Sequence, residues 1–220
     1  MRLSMNEFLT WWFPEGESHF QKMLQKSVDK GGPARYQYQV RDRSIALCPN
    51  KHTAIDIGAN VGLWSRDLTE HFEQVLAFEP VSLFRECLTK NVTRKNFTVY
   101  EQALGNEHTW ARMNVTLGNM GHTHIAPDSI GNGETEVRTL DSYNFDNISY
   151  IKMDCEGFEY RVIQGAEQTI RRCRPVVVVE QKPHDAYSSD YGQYAAIDLL
   201  KSWGMVVLQQ VKDDWIMGWQ

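Results

Sequence analysis

The fold is decided by residues 53–80, which read TAIDIGANVGLWSRDLTEHFEQVLAFEP. The apolar run from Ala54 to Ile57 is followed by a glycine-rich turn, and apolar residues then recur every four positions from Trp64 to Phe72. That order predicts a buried strand, a tight turn and a helix with one buried face. A second apolar run, Gln74 to Phe78, completes the stretch, which therefore reads as a βαβ unit with two parallel strands.

The same alternation of short strands and helices continues along the chain. Further strands are predicted at Thr98 to Gln102, Tyr150 to Asp154 and Val176 to Glu180. The last two strands, Met205 to Val211 and Trp215 to Trp219, are joined by a tight turn and must be antiparallel. The predicted fold class is therefore α/β, with a mostly parallel, Rossmann-like sheet and an antiparallel C-terminal strand.

Helices and one insertion are predicted between these strands. Ser82 is expected to cap one helix, apolar residues at helical spacing from Phe158 to Ile170 predict a second, and a third is expected from Tyr191 to Ser202. The stretch between the third and fourth strands breaks the alternation. Two runs there, Trp110 to Leu117 and Thr135 to Leu140, alternate in polarity and are expected to pair as antiparallel strands.

The first part of the chain has a different texture. Apolar residues from Phe20 to Val28 predict one amphipathic helix, which ends at Gly31-Gly32-Pro33. A chain of 220 residues with no internal repeat fits one domain with an added segment. We therefore divide it into an N-terminal arm, residues 1–50, that packs on a main domain, residues 51–220.

Composition sets limits on the partners. The 23 basic and 28 acidic residues give a net charge of −5, which argues against binding to the phosphate backbone of a nucleic acid. No apolar stretch approaches the roughly 18 residues that a membrane-spanning helix needs. Polar residues interrupt the N-terminus where a secretory signal needs an apolar core. We expect a cytoplasmic protein that binds neither membranes nor nucleic acids.

Polar side chains stand at the end of every predicted parallel strand. In an open parallel sheet, ligands bind beyond the C-terminal ends of the strands, near the point where the strand order reverses. The candidate site is therefore the set of residues that ends the five strands. They are Asp56, Glu79, Gln102 with Ala103, Asp154 to Glu156, and Glu180 with Gln181.

The sequence of the first turn indicates which class of nucleotide ligand the site binds. Dinucleotide folds need glycine at the second motif position to let the backbone touch a pyrophosphate, whereas the motif here is Gly58-x-Asn60-x-Gly62. Glu79 follows Gly58 by 21 positions, near the spacing at which an acid reaches ribose hydroxyls. The N–H groups that start the next helix suit a carboxylate, and Asp56 suits an ammonium group. A ligand with these groups and no phosphate is S-adenosylmethionine.

Four stretches in this order resemble a known family. They read DIGANVG at 56–62, FEP at 78–80, QALG at 102–105 and IKMDCEGFE at 151–159. Together they resemble the FkbM family of methyltransferases, and the resemblance extends from about Ala54 to Glu180. It implies the class I, seven-stranded methyltransferase fold and transfer of a methyl group from S-adenosylmethionine, usually to an oxygen. Sugar and macrolide hydroxyls are among the family's acceptors, so a small-molecule or glycan acceptor is expected.

The resemblance also implies roles for individual residues. The implied cofactor-binding set is Gly58, Asn60 and Gly62 around the methionine end with Asp56 behind them, Glu79 at the ribose, Gln102 and Ala103 beside adenine, and Asp154 where the reactive methyl emerges.

Methyl transfer to a hydroxyl also needs a base that removes the proton. The candidates near the strand ends are Asp154, Glu156 and His184, the last of which lies just past the fifth strand. Alternation places Lys152 on the same side of its strand as Asp154. A charged group on a covered strand is expensive unless it is paired, so we interpret Lys152 as structural and Asp154 as functional.

A magnesium site is a less favoured hypothesis. Asp154, Glu180 and Gln181 resemble, with longer side chains, the ligand set of catechol-type methyltransferases, and all three offer the oxygen ligands that magnesium prefers. His122 and His124 also have a metal-ligand spacing, but the sequence offers no third ligand.

Two other functions fit parts of the pattern. An NAD-dependent oxidoreductase is disfavoured by Asn60 and by the absence of a glycine three residues after Gly62, where Ser65 stands. A catalytically inactive cofactor-binding module is disfavoured because Asp56, Glu79 and Asp154 are all present.

Overall fold

A computed structural model of the chain describes residues 4–182 and 188–220. In chain order the strands are β1 (Met5–Phe8), β2 (Trp11–Pro14), β3 (Thr53–Ile57), β4 (Gln74–Phe78), β5 (Phe97–Tyr100), β6 (Ala103–Leu104), β7 (Thr109–Ala111), β8 (Met113–Asn114), β9 (His124–Ile125), β10 (Thr135–Arg138), β11 (Ile148–Met153), β12 (Val176–Glu180), β13 (Met205–Val211) and β14 (Asp214–Trp219). The α-helices are α1 (His19–Asp29), α2 (Tyr38–Ala46), α3 (Ser65–His71), α4 (Ser82–Asn91), α5 (Glu159–Gln164), α6 (Glu167–Cys173), α7 (Ser188–Tyr191) and α8 (Ala195–Ser202).

The central sheet has seven strands in the order β13-β14-β12-β11-β3-β4-β5. All neighbouring strands from β12 to β5 are parallel, and β14 is antiparallel to both of its neighbours. The predicted α/β fold class is therefore confirmed. The chain runs outward from β3 to β4 and β5 and then returns to β11 on the other side of β3. The strand order thus reverses between β3 and β11, where a ligand site is expected.

Helices cover both faces of the sheet, which explains why most residues of its inner strands are apolar. Alternate residues of each strand point to opposite faces, so Ile55 and Ala54 of β3 belong to different apolar clusters. One face packs on α5, α6 and α8, and the other packs on α2 and α3. None of the helices in the described ranges is long and apolar enough to cross a membrane.

The single helix predicted from Phe158 to Ile170 is wrong, because two helices, α5 and α6, divide at Gly165. The carbonyl of Gly165 accepts a hydrogen bond from the backbone N–H of Asp141 (2.9 Å) instead of continuing the helix. The Asp141 carboxylate in turn accepts from the N–H groups of Gln168 (3.0 Å) and Thr169 (2.8 Å), which begin α6. Asp141, distant in sequence, therefore bonds the end of α5 with its backbone N–H and caps α6 with its side chain.

The insertion also differs from its predicted pairing. β10 pairs antiparallel with β7 only from Thr109 to Ala111 and pairs parallel with β6 on its other side. The next residues, 113–114, pair with β9 instead and form a separate hairpin that is closed by a 3-10 turn at Met120–His122. Ser129 separates the two pairings, because its hydroxyl accepts the backbone N–H of Arg112 (2.9 Å). We call residues 113–125 the roof.

The arm contains more than the single helix that was predicted. Helix α1 buries Phe20 and Leu24, while Met23 and Val28 are exposed. A hairpin of β1 and β2 and the helix α2 complete the arm, and neither shows a clear pattern in the sequence. The side chain of Asn91 in α4 fastens the hairpin to the main domain, because its amide bonds both backbone groups of a β2 residue. At the other end of the chain, the helix predicted from Tyr191 begins at residue 195.

Candidate active site

A cavity lies beyond the C-terminal ends of β3, β4 and β11, at the reversal of strand order, and encloses about 820 Å³ including the part open to solvent. Its floor consists of strand ends and the turns that follow them. The arm and the roof cover it. The arm supplies Phe20 and Tyr36, and the roof supplies Met113, Met120, Gly121, Thr123, His124 and Ile125.

The turn after β3 brings Gly58 to the cavity wall but not Gly62. Gly58 has φ +73°, and a Cβ built on it would lie 2.1 Å from the carbonyl oxygen of Asp154. Gly62 has φ +89° and faces the opposite way, where a Cβ would lie 2.5 Å from Leu88 of α4. Gly58 is thus required by the close approach of two strand ends, and Gly62 by the packing of the helix behind them.

Asn60 connects the turn to the roof. It lines the cavity with φ +52°, a conformation that asparagine tolerates better than most residues. Its side-chain amide donates to the carbonyl of Met120 in the roof (3.2 Å), and its Oδ1 accepts from the backbone N–H of Val61 (2.9 Å). The side chain that takes the place of a dinucleotide-motif glycine therefore holds the cover of the site.

Glu79, which ends β4, lines the cavity and is only 4% exposed. Its two carboxylate oxygens accept the backbone N–H groups of Asn60 and Val81, each at 2.8 Å. Burial raises the pKa of Glu79 to about 7, although both hydrogen bonds lower it. The bond to Val81 also corrects the predicted cap: Val81, not Ser82, is the N-cap residue of α4, and its N–H is satisfied by Glu79.

The segment that follows β5 supplies another part of the cavity wall. Gln102 and Ala103 both line the cavity. The Gln102 amide donates to Glu136 (3.1 Å) and accepts from the Tyr143 hydroxyl (3.3 Å), so its orientation is held from outside the cavity. Apolar side chains complete this wall; they are Phe78, Leu104 and Phe158.

Lys152 lies under the turn between two carboxylates. Its ammonium is 3.5 Å from Asp56 and 3.8 Å from Asp154 and donates to the carbonyl of Gly58 (3.4 Å). Burial alone lowers the pKa of Lys152, but the charges of both carboxylates outweigh it and raise that pKa. Asp56 is fully buried, accepts the Ser65 hydroxyl (2.5 Å) and does not line the cavity. Its contacts in this structure are to Ser65 of α3 and to Lys152, behind the cavity wall.

Asp154 faces the cavity and is flanked by further charges. Burial favours its protonated form, but Lys152 and Lys182 outweigh burial and keep the pKa of Asp154 below its usual range. Glu180 shares a hydrogen bond with Asp154, and burial together with the Asp154 charge raises the pKa of Glu180 to about 10. The two pKa shifts run in opposite directions, so Asp154 is the more acidic carboxyl group of the pair. Glu156 also lines the cavity, with φ +51°.

The proposed magnesium ligands are not assembled as predicted. Carboxylate oxygens of Asp154, Glu156 and Glu180 do lie within 4.8 Å of one another. Gln181, however, is directed elsewhere, because its Oε1 accepts the backbone N–H of Ile197 (3.3 Å). The ammonium of Lys182 lies 2.6 Å from Glu180 and 3.1 Å from Glu156 and supplies the positive charge that these acids need.

Three histidines were named in the sequence analysis as a candidate base or as possible metal ligands. His184 lies outside the described residues. His124 lines the cavity, but its Nδ1 is 2.8 Å from the carbonyl of His122 and its Nε2 is 3.3 Å from the amide of Asn114. Both ring nitrogens thus serve the roof hairpin and do not point to a metal site with His122.

Several residues of the site carry no sequence signal. Phe20, Tyr36 and Lys182 lie outside the recognised motifs and reach the site only through tertiary packing. Glu17 is a further case: this buried carboxylate accepts the N–H groups of Phe20 (2.6 Å) and Met120 (3.0 Å) and so joins the arm to the roof.

Comparison with known proteins places this geometry in context. Residues 56–206 match the model of the methyltransferase FkbM domain family. No curated protein matches the chain. Among solved structures, the methyltransferase FkbM of Methylobacillus flagellatus KT shares 19% sequence identity with a TM-score of 0.48, over 76% of this chain and 43% of that chain. The chain therefore spans less than half the length of that protein.

Two shorter proteins share the fold over most of their length. A candidate rRNA methylase from Clostridium thermocellum has 10% identity and a TM-score of 0.52, with 83% of this chain and 95% of that chain covered. A candidate methyltransferase from Streptococcus mutans, solved in complex with SAH, has 10% identity and a TM-score of 0.50, with 82% of this chain and 94% of that chain covered.

Proposed function

The chain belongs to the FkbM family of methyltransferases, and from that premise we propose that it transfers a methyl group from S-adenosylmethionine to a hydroxyl oxygen of a sugar, glycan or other small molecule. The observation that carries the proposal is the presence of Glu79 and Asp154 in the wall of one cavity at the reversal of strand order. The family match supports methyl transfer, and the oxygen acceptor is our inference.

The chemistry of the wall suits S-adenosylmethionine. Each oxygen of Glu79 accepts one backbone N–H and retains a second lone pair for a ribose hydroxyl. Gln102 and Ala103, with the apolar wall beside them, would hold adenine, and the turn at Gly58 would hold the methionine end. The ionised Asp154 favours the positive charge of the ligand. When bound, S-adenosylmethionine supplies an electrophilic methyl group.

The protein's own task is then to orient the acceptor and to take its proton. Alignment of the reacting groups supplies roughly 7–11 kcal/mol in favourable systems. Asp154 is an ionised carboxylate in the cavity wall, so it would accept the proton of the acceptor hydroxyl. Glu156, beside it in the wall, is the second candidate base, and His184 the third.

Binding and label transfer test this function in sequence. Calorimetry with S-adenosylhomocysteine (SAH) and with NAD should show heat for SAH alone, whereas tight NAD binding without SAH binding would favour the oxidoreductase. Radiolabelled donor is then offered with a panel of methyl glycosides and phenols. Asp154→Asn should lower label transfer by about 10²–10⁴-fold, and the exposed control Asp198→Asn should not. SAH binding without transfer to any acceptor would favour an inactive module.

A further inference from the structure

Part of the cavity wall comes from the arm. Phe20 and Tyr36 line it, with their rings edge-on at a centroid distance of 5.1 Å and an angle of 81°. Both precede residues 56–206, which match the family model. The site is therefore completed by a segment that the shared domain does not supply.

Hydrogen bonds from other side chains hold the segment around Tyr36, two at backbone carbonyls and one at the side chain of Gln37. Three side-chain donors fix residues 34–37, and one of them, Arg41, is fully buried and ion-paired with Asp67. Such anchoring is typical of a side chain whose position matters for binding. The bonds run from Trp11 Nε1 to the Ala34 carbonyl (3.1 Å), from Arg41 Nη1 to the Tyr36 carbonyl (2.9 Å), and from Trp64 Nε1 to Gln37 Oε1 (2.8 Å).

The hydroxyl of Tyr36 lies in the field of the acidic strand ends. Burial raises the pKa of the phenol well above its usual value, and the charges of Asp154 and Glu180 raise it further. The phenol therefore stays protonated at physiological pH and can both donate and accept a hydrogen bond. An aromatic face and a neutral hydroxyl thus line the same cavity as Asp154.

We propose that Tyr36 is the residue with which the arm selects the acceptor. Its ring packs against the apolar face of a ring-shaped polyhydroxyl or phenolic acceptor, and its hydroxyl directs one acceptor hydroxyl toward Asp154. An aromatic side chain suits this task because it offers a large apolar face at low conformational cost, with a polar tip at its edge. This inference rests on the proposed function and names the residue that sets its specificity.

Kinetics with the best acceptor of the label-transfer panel provide the first test. Tyr36→Ala should lower kcat/KM for that acceptor about tenfold or more, and the Kd for SAH should change by less than about twofold. Tyr36→Phe keeps the ring, so KM should stay near the wild-type value while kcat falls. Tyr38→Ala, in the same segment but outside the cavity wall, is the matched control. Unchanged acceptor kinetics in Tyr36→Ala would overturn the proposal.

A spectroscopic readout does not depend on turnover. The protein is labelled with 3-fluorotyrosine, and the resonance of position 36 is identified by its loss in Tyr36→Phe. With SAH bound, at least one methyl glycoside or phenol of the panel should shift this resonance and leave that of Tyr38 unmoved. If SAH binds and no panel compound shifts it, the role of Tyr36 is wrong. If SAH gives no heat and no shift, the proposed function itself fails.

Discussion

The α-carbon of Gly58 lies against the backbone carbonyl of Asp154, so that a Cβ at position 58 would stand 2.1 Å from that oxygen. This contact joins the ends of β3 and β11, the two strands between which the strand order reverses. Because the oxygen belongs to the backbone, no side-chain rotation can relieve a collision there. The first glycine of the turn is thus a structural requirement of the site.

Gly58→Ala should therefore destabilise the protein by roughly 2–5 kcal/mol, through a positive φ and an overlap with backbone. Gly16→Ala is the matched control, because Gly16 has φ +90° and nothing within 4 Å of its built Cβ. That variant should lose only about 1–2 kcal/mol. Urea unfolding of both variants measures the difference, and equal losses would contradict the close contact.

Glu79 should make cofactor binding depend on pH. Its pKa is raised to about 7 by burial, and ribose hydroxyls need the ionised form as acceptor. Protonation competes with binding below pH 7, so SAH should bind about tenfold more weakly at pH 6 than at pH 8. Glu79→Gln should weaken binding at pH 8 by about 10–100-fold and abolish this pH dependence. Calorimetry at both pH values measures the effect.

Two controls identify the group responsible. Burial and the Asp154 charge also raise the pKa of Asp214 to about 7, so Asp214→Asn shows whether that residue contributes. Glu86→Gln changes an exposed acid of α4 and should leave binding unchanged. If the pH dependence of SAH binding persists in Glu79→Gln and disappears in Asp214→Asn, then Asp214 and not Glu79 is the group responsible.

Lys152→Met should leave Asp56 and Asp154 without their shared cation. Removing one partner of a buried ion pair costs about 3–5 kcal/mol, because an uncompensated charge remains. Without Lys152 the pKa of Asp154 rises, so the variant should regain stability as the pH falls toward 5. Thermal unfolding across pH tests this, with the exposed Lys201→Met as control. The double variant Lys152→Met/Asp56→Asn should recover part of the loss, and no recovery would contradict the pairing.

Glu17→Ala should loosen the cover of the site. The change leaves two buried N–H groups, those of Phe20 and Met120, without their acceptor, at about 1–3 kcal/mol each. Because the link between arm and roof is lost, SAH should also dissociate faster, which stopped-flow displacement measures. Glu7→Ala alters an exposed acid of the same arm and should behave as wild type. An unchanged dissociation rate in Glu17→Ala would mean that the cover does not limit release.

The strands and the polar residues that end them were predictable from local pattern. The strand from Val176 to Glu180 has the predicted bounds, and Glu79 and Asp154 line one cavity as the parallel order requires. Strand periodicity and chain order suffice for this, because the C-terminal ends of parallel strands meet at one edge of the sheet. Helix ends were less predictable, since Asp141, distant in sequence, divides the helix after β11.

The sequence by itself thus determined the fold class, the edge of the sheet where the site lies and most of the residues at that edge. Only the tertiary structure decided that Asp56 and Gly62 lie behind the wall, that Gln181 is directed away, and that Tyr36 lines the cavity. The physical reason is the separation along the sequence of the residues that make the contacts. The positions of strands and turns follow from neighbouring residues, whereas the docking of the arm and the pairing of buried charges depend on contacts between segments far apart in the chain.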